Sequence, residues 1–222
     1  MPDMNDDYSP AVLSAVSRQL FVAGPLLKRK LQHWRPYICP FGEILRHVPR
    51  DAQVLDIGCG GGLLLGLLAR LRGVSGVGFD MSPDAIEVAR QMASRQPDFA
   101  GKLQFHVLRA QEDWPTTNAG VVTIVDVMHH VPPDAIASVL TKTFSHVPPG
   151  GRLIYKDMAS RPLWRATHNR LHDLLVARQW IHYVDSNQVV RLAEQAGLQC
   201  IHATTINCGP YGHELRVFDR PA

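Results

Sequence analysis

"VLDIGCGGG", residues 54–62, is the stretch that decides the fold. It opens as a short, nearly continuous apolar run, which is how a strand buried on both faces reads. It then breaks into Gly58, Gly60 and Gly62 at alternate positions. Glycines there allow positive φ and let a ligand approach the backbone closely. "GLLLGLLARL" (62–71) follows as a helix, and the free N–H groups at its start favour a carboxylate or a phosphate. Asp56 lies inside the strand, just before the glycines.

Outward from this stretch, strands and helices alternate. "VSGVGFD" (74–80) is a second strand that ends on Asp80. "SPDAIEVARQMASRQ" (82–96) is a helix, with Ser82 as N-cap and Pro83 at its first position. "KLQFHVL" and "GVVTIVDV" read as strands three and four, and "PDAIASVLTKTFSHV" as a helix after them. "GGRLIYKDM" is a fifth strand entered through Pro148-Pro149. "SNQVVRLAEQAG" is a helix with Ser186 as cap and Gly197 as stop. "LQCIHATTI" and "GHELRVFDR" pair as a terminal hairpin. The expected fold is α/β: a doubly wound, seven-stranded, mostly parallel sheet with an antiparallel C-terminal strand. Such sheets bind ligands at the carboxyl ends of their strands. Residues 1–50 precede the first strand as a helical extension or cap. Val12, Val16 and Leu20, then Leu27 and Leu31, recur there at helical spacing, interrupted at Gly24-Pro25. Residues 51–222 form the sheet domain, with a lid-like insertion at about 160–184.

Composition narrows the function. With 45% hydrophobic residues and 19% charged, the chain has an ordinary globular balance. A net charge of +3 gives nucleic acid no special support, and "LLKRK" (26–30) reads as a solvated helix face. No Lys/Arg-rich helix of the membrane-surface kind is evident. Cys39, Cys59, Cys200 and Cys208 form no C-x-x-C pair and no zinc spacing. The start, "MPDMNDDYSP", is acidic rather than a signal peptide, and no apolar run reaches membrane-span length. A reduced, cytoplasmic protein is expected.

Two cofactors suit the glycine turn, a dinucleotide or an adenosyl compound. The dinucleotide fingerprint G-x-G-x-x-G fails, because Leu63 stands where its third glycine belongs. A carboxylate at Asp80 can accept two hydrogen bonds from a ribose diol.

D-x-G-x-G-x-G with an acid closing the second strand resembles the class I S-adenosylmethionine-dependent methyltransferases. "GVGFDMSPDAIEVAR", "VVTIVDVMHHVPP" and "VPPGGRLI" follow in that family's order. The resemblance covers residues 50–160 and extends to the terminal hairpin. It implies S-adenosylmethionine as cofactor and S-adenosylhomocysteine as product. It implies that the loop Gly58, Cys59, Gly60 and Gly62 passes the methionine part, helped by Asp56. Asp80 would bind the ribose hydroxyls, and Met81 would pack beside the adenine. Many members have an acid where Arg109 stands, so adenine binding falls to Ala110 and Gln111, or the register shifts to Glu112. Asp126 to Val131, after strand four, would lie at the sulfonium end.

The reaction needs alignment, exclusion of water and a free lone pair on the acceptor. A histidine suits removal of a proton from a phenol or enol. His129, His130 and Asp157 are therefore the catalytic candidates, with His129 facing the acceptor and His130 packing. The bland reading is that either histidine only shapes the floor of the site. "HHVPP" is not the Asn/Asp-Pro-Pro-aromatic motif of base-methylating members, so nucleic acid is disfavoured as acceptor. No motif requires a metal ion and none is assigned; Asp126 and Asp157 are the carboxylates that could carry Mg²⁺. Trp164, His168, Leu171 and Leu175 share one helical face in the insertion, which would choose the acceptor. The expected function is methyl transfer to a small molecule, foremost O-methylation of a phenolic or quinol-like compound. Methylation at carbon or nitrogen of a secondary-metabolite or carrier-bound intermediate is the alternative, followed by a non-catalytic cofactor-binding subunit.

Overall fold

The computed structural model describes residues 7–159 and 183–222. The expected lid residues 160–182 lie outside them. Among the described residues the sheet has seven strands in the order β3-β2-β1-β4-β5-β7-β6. Two compact units divide the chain, Met1–Val121 and Val122–Ala222.

The first unit begins with three helices, α1 (Pro10–Leu20), α2 (Leu26–Ile38) and α3 (Phe41–His47). Ser9 caps α1 by accepting from the Val12 N–H at 3.5 Å, and Pro10 fills its first position. Strand β1 (Gln53–Ile57) leads through the glycine turn into α4 (Leu63–Arg72). After it come β2 (Ser75–Asp80), α5 (Pro83–Ser94) and β3 (Leu103–Val107). Both β1–β2 and β2–β3 are parallel, with Asp56 opposite Gly78 and Asp80 opposite Val107. The cap expected at Ser82 is present: its hydroxyl accepts from the Ala85 N–H at 3.2 Å. Leu20, Ile57, Leu65, Leu68 and Phe79 are fully enclosed, so β1, α4 and β2 share one apolar core.

The two helices expected on either side of Gly24-Pro25 are present as α1 and α2, but their apolar residues face differently. Leu20 is buried, but Leu27 and Leu31 stand exposed. The face of α2 turned inward carries Gln32 and Pro36 instead.

Strand β4 (Val121–Val125) starts at the boundary, and the second unit holds the rest of it with α6 (Ile136–Ser145), β5 (Arg152–Met158), α7 (Ser186–Gln195), β6 (Gln199–Cys208) and β7 (Tyr211–Asp219). Strand β7 runs antiparallel to both β5 and β6, as the hairpin reading requires, and lies between them. The cap of α7 is one residue earlier than expected. Asp185 accepts from the Asn187 N–H at 2.9 Å, while the Ser186 hydroxyl is engaged by Arg216 at 2.8 Å. Gly197, with φ +83°, ends the helix as expected.

Candidate active site

The candidate residues fall into two clusters, one in each unit. The first is built on the glycine turn. Gly58, Gly60 and Gly62 all have positive φ, between 53° and 77°. The Cys59 N–H donates to the Phe79 carbonyl at 2.9 Å and pins the turn to β2. Gly62 also has a packing reason: an added Cβ would lie 2.9 Å from the Ala89 Cβ and 3.0 Å from the Phe105 ring. Asp56 is buried within β1.

Asp80 closes this cluster. Its Oδ2 accepts from the Gly60 N–H at 3.0 Å and its Oδ1 from the Ser82 N–H at 2.8 Å. The carboxylate is thus locked between the glycine turn and the start of α5. Two oxygens offer about four lone pairs in all, so two donors leave it capacity for a diol. Met81, beside it, is 60% exposed and presents an apolar flank. The Cys59 thiol is pushed well up, first by burial and then by the nearby Asp56 and Asp80, so it stays protonated and contributes no nucleophile.

After β3, Arg109, Gln111 and Glu112 are all exposed. Glu112 folds back to accept from the Arg109 N–H at 3.1 Å, and the Trp114 indole donates to the Ala110 carbonyl at 3.1 Å. Trp114 in turn packs on Phe79 with ring centroids 5.2 Å apart, anchoring this loop beside β2.

Two residues that sequence reading missed join the cluster from α2. An added Cβ at Gly61 would lie 2.8 Å from Gln32 Nε2, and one at Gly60 would lie 3.9 Å from Arg35 Nη1. Gln32 is buried, and its Oε1 has no hydrogen-bond partner. A buried polar residue on an otherwise amphipathic helix is a signal, but only once the inward face is known.

The second cluster lies after β4 and on β5. Asp126 has φ +58°, an uncommon value for a side-chain-bearing residue. Its N–H donates to the Lys156 carbonyl at 2.9 Å, and its Oδ1 is ion-paired with the buried Lys156 ammonium. Met128–His130 then make one 3-10 turn. His129 is 2% exposed; its Nδ1 pairs with Oδ1 of Asp157, and its N–H donates to Oδ2 at 3.1 Å. The Met158 N–H also donates to Asp157 Oδ1, at 2.8 Å. His130 is exposed, with its ring centroid 4.1 Å from that of His129. His129 is thus enclosed and His130 lies outside.

Ligand-capable atoms of Asp126, His129 and Asp157 lie within 4.8 Å of one another. As folded, each carboxylate already faces a nitrogen partner, Lys156 for Asp126 and His129 for Asp157.

The methyltransferase-domain family matches residues 26–203. The chain belongs to this family. A ubiquinone biosynthesis O-methyltransferase of Xanthomonas axonopodis pv. citri is 32% identical over 187 residues, covering 78% of this chain and 73% of the relative. The mitochondrial ubiquinone biosynthesis O-methyltransferase of Schizosaccharomyces pombe is 41% identical over 116 residues. That match covers 51% of this chain and 40% of the relative, so the chain spans well under half of its length. Among solved structures, the S-adenosylmethionine-dependent methyltransferase SibL superposes with a TM-score of 0.69 at 19% identity. It covers 98% of this chain and 71% of that one, a likeness of fold. The chain is thus a methyltransferase-domain member with the fold of the S-adenosylmethionine-dependent methyltransferases, the family its motifs resemble.

Proposed function

We propose that this methyltransferase moves the methyl group of S-adenosylmethionine to a hydroxyl oxygen of a small phenolic or quinol-like acceptor. The observation that carries the oxygen reading is the buried His129–Asp157 pair. The names of the Xanthomonas and fission-yeast relatives support the quinol class. Among the described residues no helix is long and apolar enough to cross a membrane, which fits the cytoplasmic location we also propose.

The residues present suit the donor. Asp80 has spare acceptor capacity for two ribose hydroxyls, and Met81 offers an exposed apolar flank to the adenine. Gln32 Oε1 is a buried acceptor without a partner beside the glycine turn, where the methionine ammonium can donate to it. Ala110 and Gln111 complete the adenine edge through a loop held by Trp114. When bound, the cofactor supplies an electrophilic methyl group. Everything else falls to the protein.

An acceptor hydroxyl must lose its proton as its oxygen attacks. Asp157 holds the Nδ1–H of His129, which fixes the tautomer and leaves Nε2 as the basic nitrogen. Nε2 takes the acceptor proton, and the imidazolium that forms is stabilised by the Asp157 carboxylate. Lys156 neutralises Asp126, so this second carboxylate raises no net negative charge against a phenolate.

The test is S-adenosylhomocysteine release with phenols, quinols, fatty acids, amines and bulk tRNA, repeated with His129→Ala. Turnover confined to phenols or quinols and lost in His129→Ala supports the proposal. Turnover only on amines or carbon acids transfers the assignment to the alternative chemistry. Binding of the donor with no turnover on any acceptor contradicts it in favour of a non-catalytic subunit.

A further inference from the structure

Helix α2 is amphipathic in the inverted sense. Its inward side carries Gln32 and Pro36, while Leu26, Leu27, Leu31, Trp34 and Tyr37 stand exposed. Leu27 is 81% exposed and Trp34 60%, values far from those of a core stripe. Leu27, Leu31 and Trp34 are spaced i, i+4, i+7, so they form one continuous ridge. Trp34 and Tyr37 pack together, with ring centroids 5.2 Å apart, at the C-terminal end of that ridge. Of the nine large hydrophobic side chains exposed among the described residues, six fall between residues 22 and 37. Scattered single exposures need no explanation, but a contiguous patch does.

The charges that the helix and its flanking chain bring to the patch are all positive; the one acid paired with them, Asp84, comes from α5. Residues 8–42 contain no Asp or Glu, while Arg18, Lys28, Arg29, Lys30 and Arg35 lie within them. Arg29 is turned back to the Phe21 carbonyl at 3.0 Å, and Arg35 approaches the glycine turn. Lys30 is exposed on the ridge itself. Lys28 is held by Asp84 only through a solvent-exposed pair at 3.2 Å, a contact of little worth.

We propose that α2 is a peripheral membrane-docking helix. It lays Leu27, Leu31 and Trp34 into the interface of an anionic phospholipid surface, while Lys28 and Lys30 meet the headgroups. Its 13 residues span about 20 Å, enough to lie flat in the interface and too short to cross it. A ridge of leucine with tryptophan and tyrosine, edged by lysines, is what an interfacial helix needs, and aromatic rings favour the headgroup level. A second copy of the chain suits the patch poorly. A two-fold contact through this ridge sets lysines against lysines with no acid between residues 8 and 42 to meet them. The proposal does not depend on which acceptor is methylated.

The test is co-sedimentation of the full chain with vesicles of phosphatidylcholine alone and of phosphatidylcholine with phosphatidylglycerol. The expected result is binding to the anionic vesicles that weakens with added salt. Leu27→Ser/Leu31→Ser should lower that binding at least about tenfold with unchanged thermal unfolding, because both side chains already face solvent. Ile201→Ser, an exposed apolar change elsewhere, should leave it unaltered. Absence of binding to anionic vesicles overturns the proposal, as does binding that the double variant leaves intact. Equal binding to neutral vesicles overturns the role of the lysines. A concentration-dependent dimer abolished by the double variant, with no vesicle binding, assigns the ridge to a second copy instead.

Discussion

His129 and Asp157 are tied twice. The imidazole Nδ1 pairs with one carboxylate oxygen, and the backbone N–H of the same histidine donates to the other at 3.1 Å. One bond fixes the tautomer of the ring, and the other fixes the turn that carries it. The carboxylate is held in turn by the Met158 N–H at 2.8 Å.

If this pair serves proton removal, Asp157→Asn and His129→Ala should each lower kcat about a hundredfold or more while KM changes little. The double variant should be scarcely worse than either single one, because the two act as a unit. Steady-state kinetics check this. His130→Ala should retain most activity, since that ring lies outside the pair.

Asp80 sits between the glycine turn and α5. Asp80→Ala should weaken S-adenosylhomocysteine binding by at least about tenfold, through loss of charge-assisted bonds to the ribose and of the order they impose on the turn. Isothermal titration calorimetry reads this directly. Unchanged affinity would move the ribose site elsewhere.

Gly62 and Gly101 share a left-handed backbone, with φ +77° and +73°, but differ in surroundings. A Cβ at Gly62 meets Ala89 and Phe105 at 3.0 Å or less, whereas one at Gly101 meets nothing within 4 Å. Gly101→Ala should cost about 1 kcal/mol, the strain alone. Gly62→Ala should cost about 1–3 kcal/mol more by overpacking. Urea denaturation of both gives the difference.

Asp126 and Lys156 form a pair whose lysine side chain is wholly buried. Asp126→Ala takes the carboxylate from that ammonium and should destabilise the protein by about 3 kcal/mol or more. Asp126→Ala/Lys156→Met should recover much of the loss, because both charges then leave the interior together. A double variant as unstable as the single one would show that the backbone at Asp126, with φ +58°, dominates instead.

Local signals made the donor cluster readable from sequence. The glycines, the acid at the end of β2 and the Ser82-Pro83 helix start lie within 26 residues of chain, and each has a backbone reason for its identity. The His129–Asp157 and Asp126–Lys156 pairs join positions 28 and 30 residues apart, so their residues could be nominated but their partners could not. The inward turn of Gln32 was hidden for a different reason. Periodicity reveals that a helix has an apolar stripe, not which way the stripe points. In α2 the usual inference, apolar side in, fails. The α7 cap moved from Ser186 to Asp185 because Arg216 claims the serine, a competition no local pattern encodes.

The most direct measurement of the central claim is transfer of a labelled methyl group from S-adenosylmethionine to a quinol bearing adjacent hydroxyls, with product analysis at the modified atom. The account predicts a methyl ether on oxygen, formed by the wild type and lost in both Asp80→Ala and His129→Ala. Label on carbon or nitrogen, or a methyl ether formed equally well by His129→Ala, would contradict it.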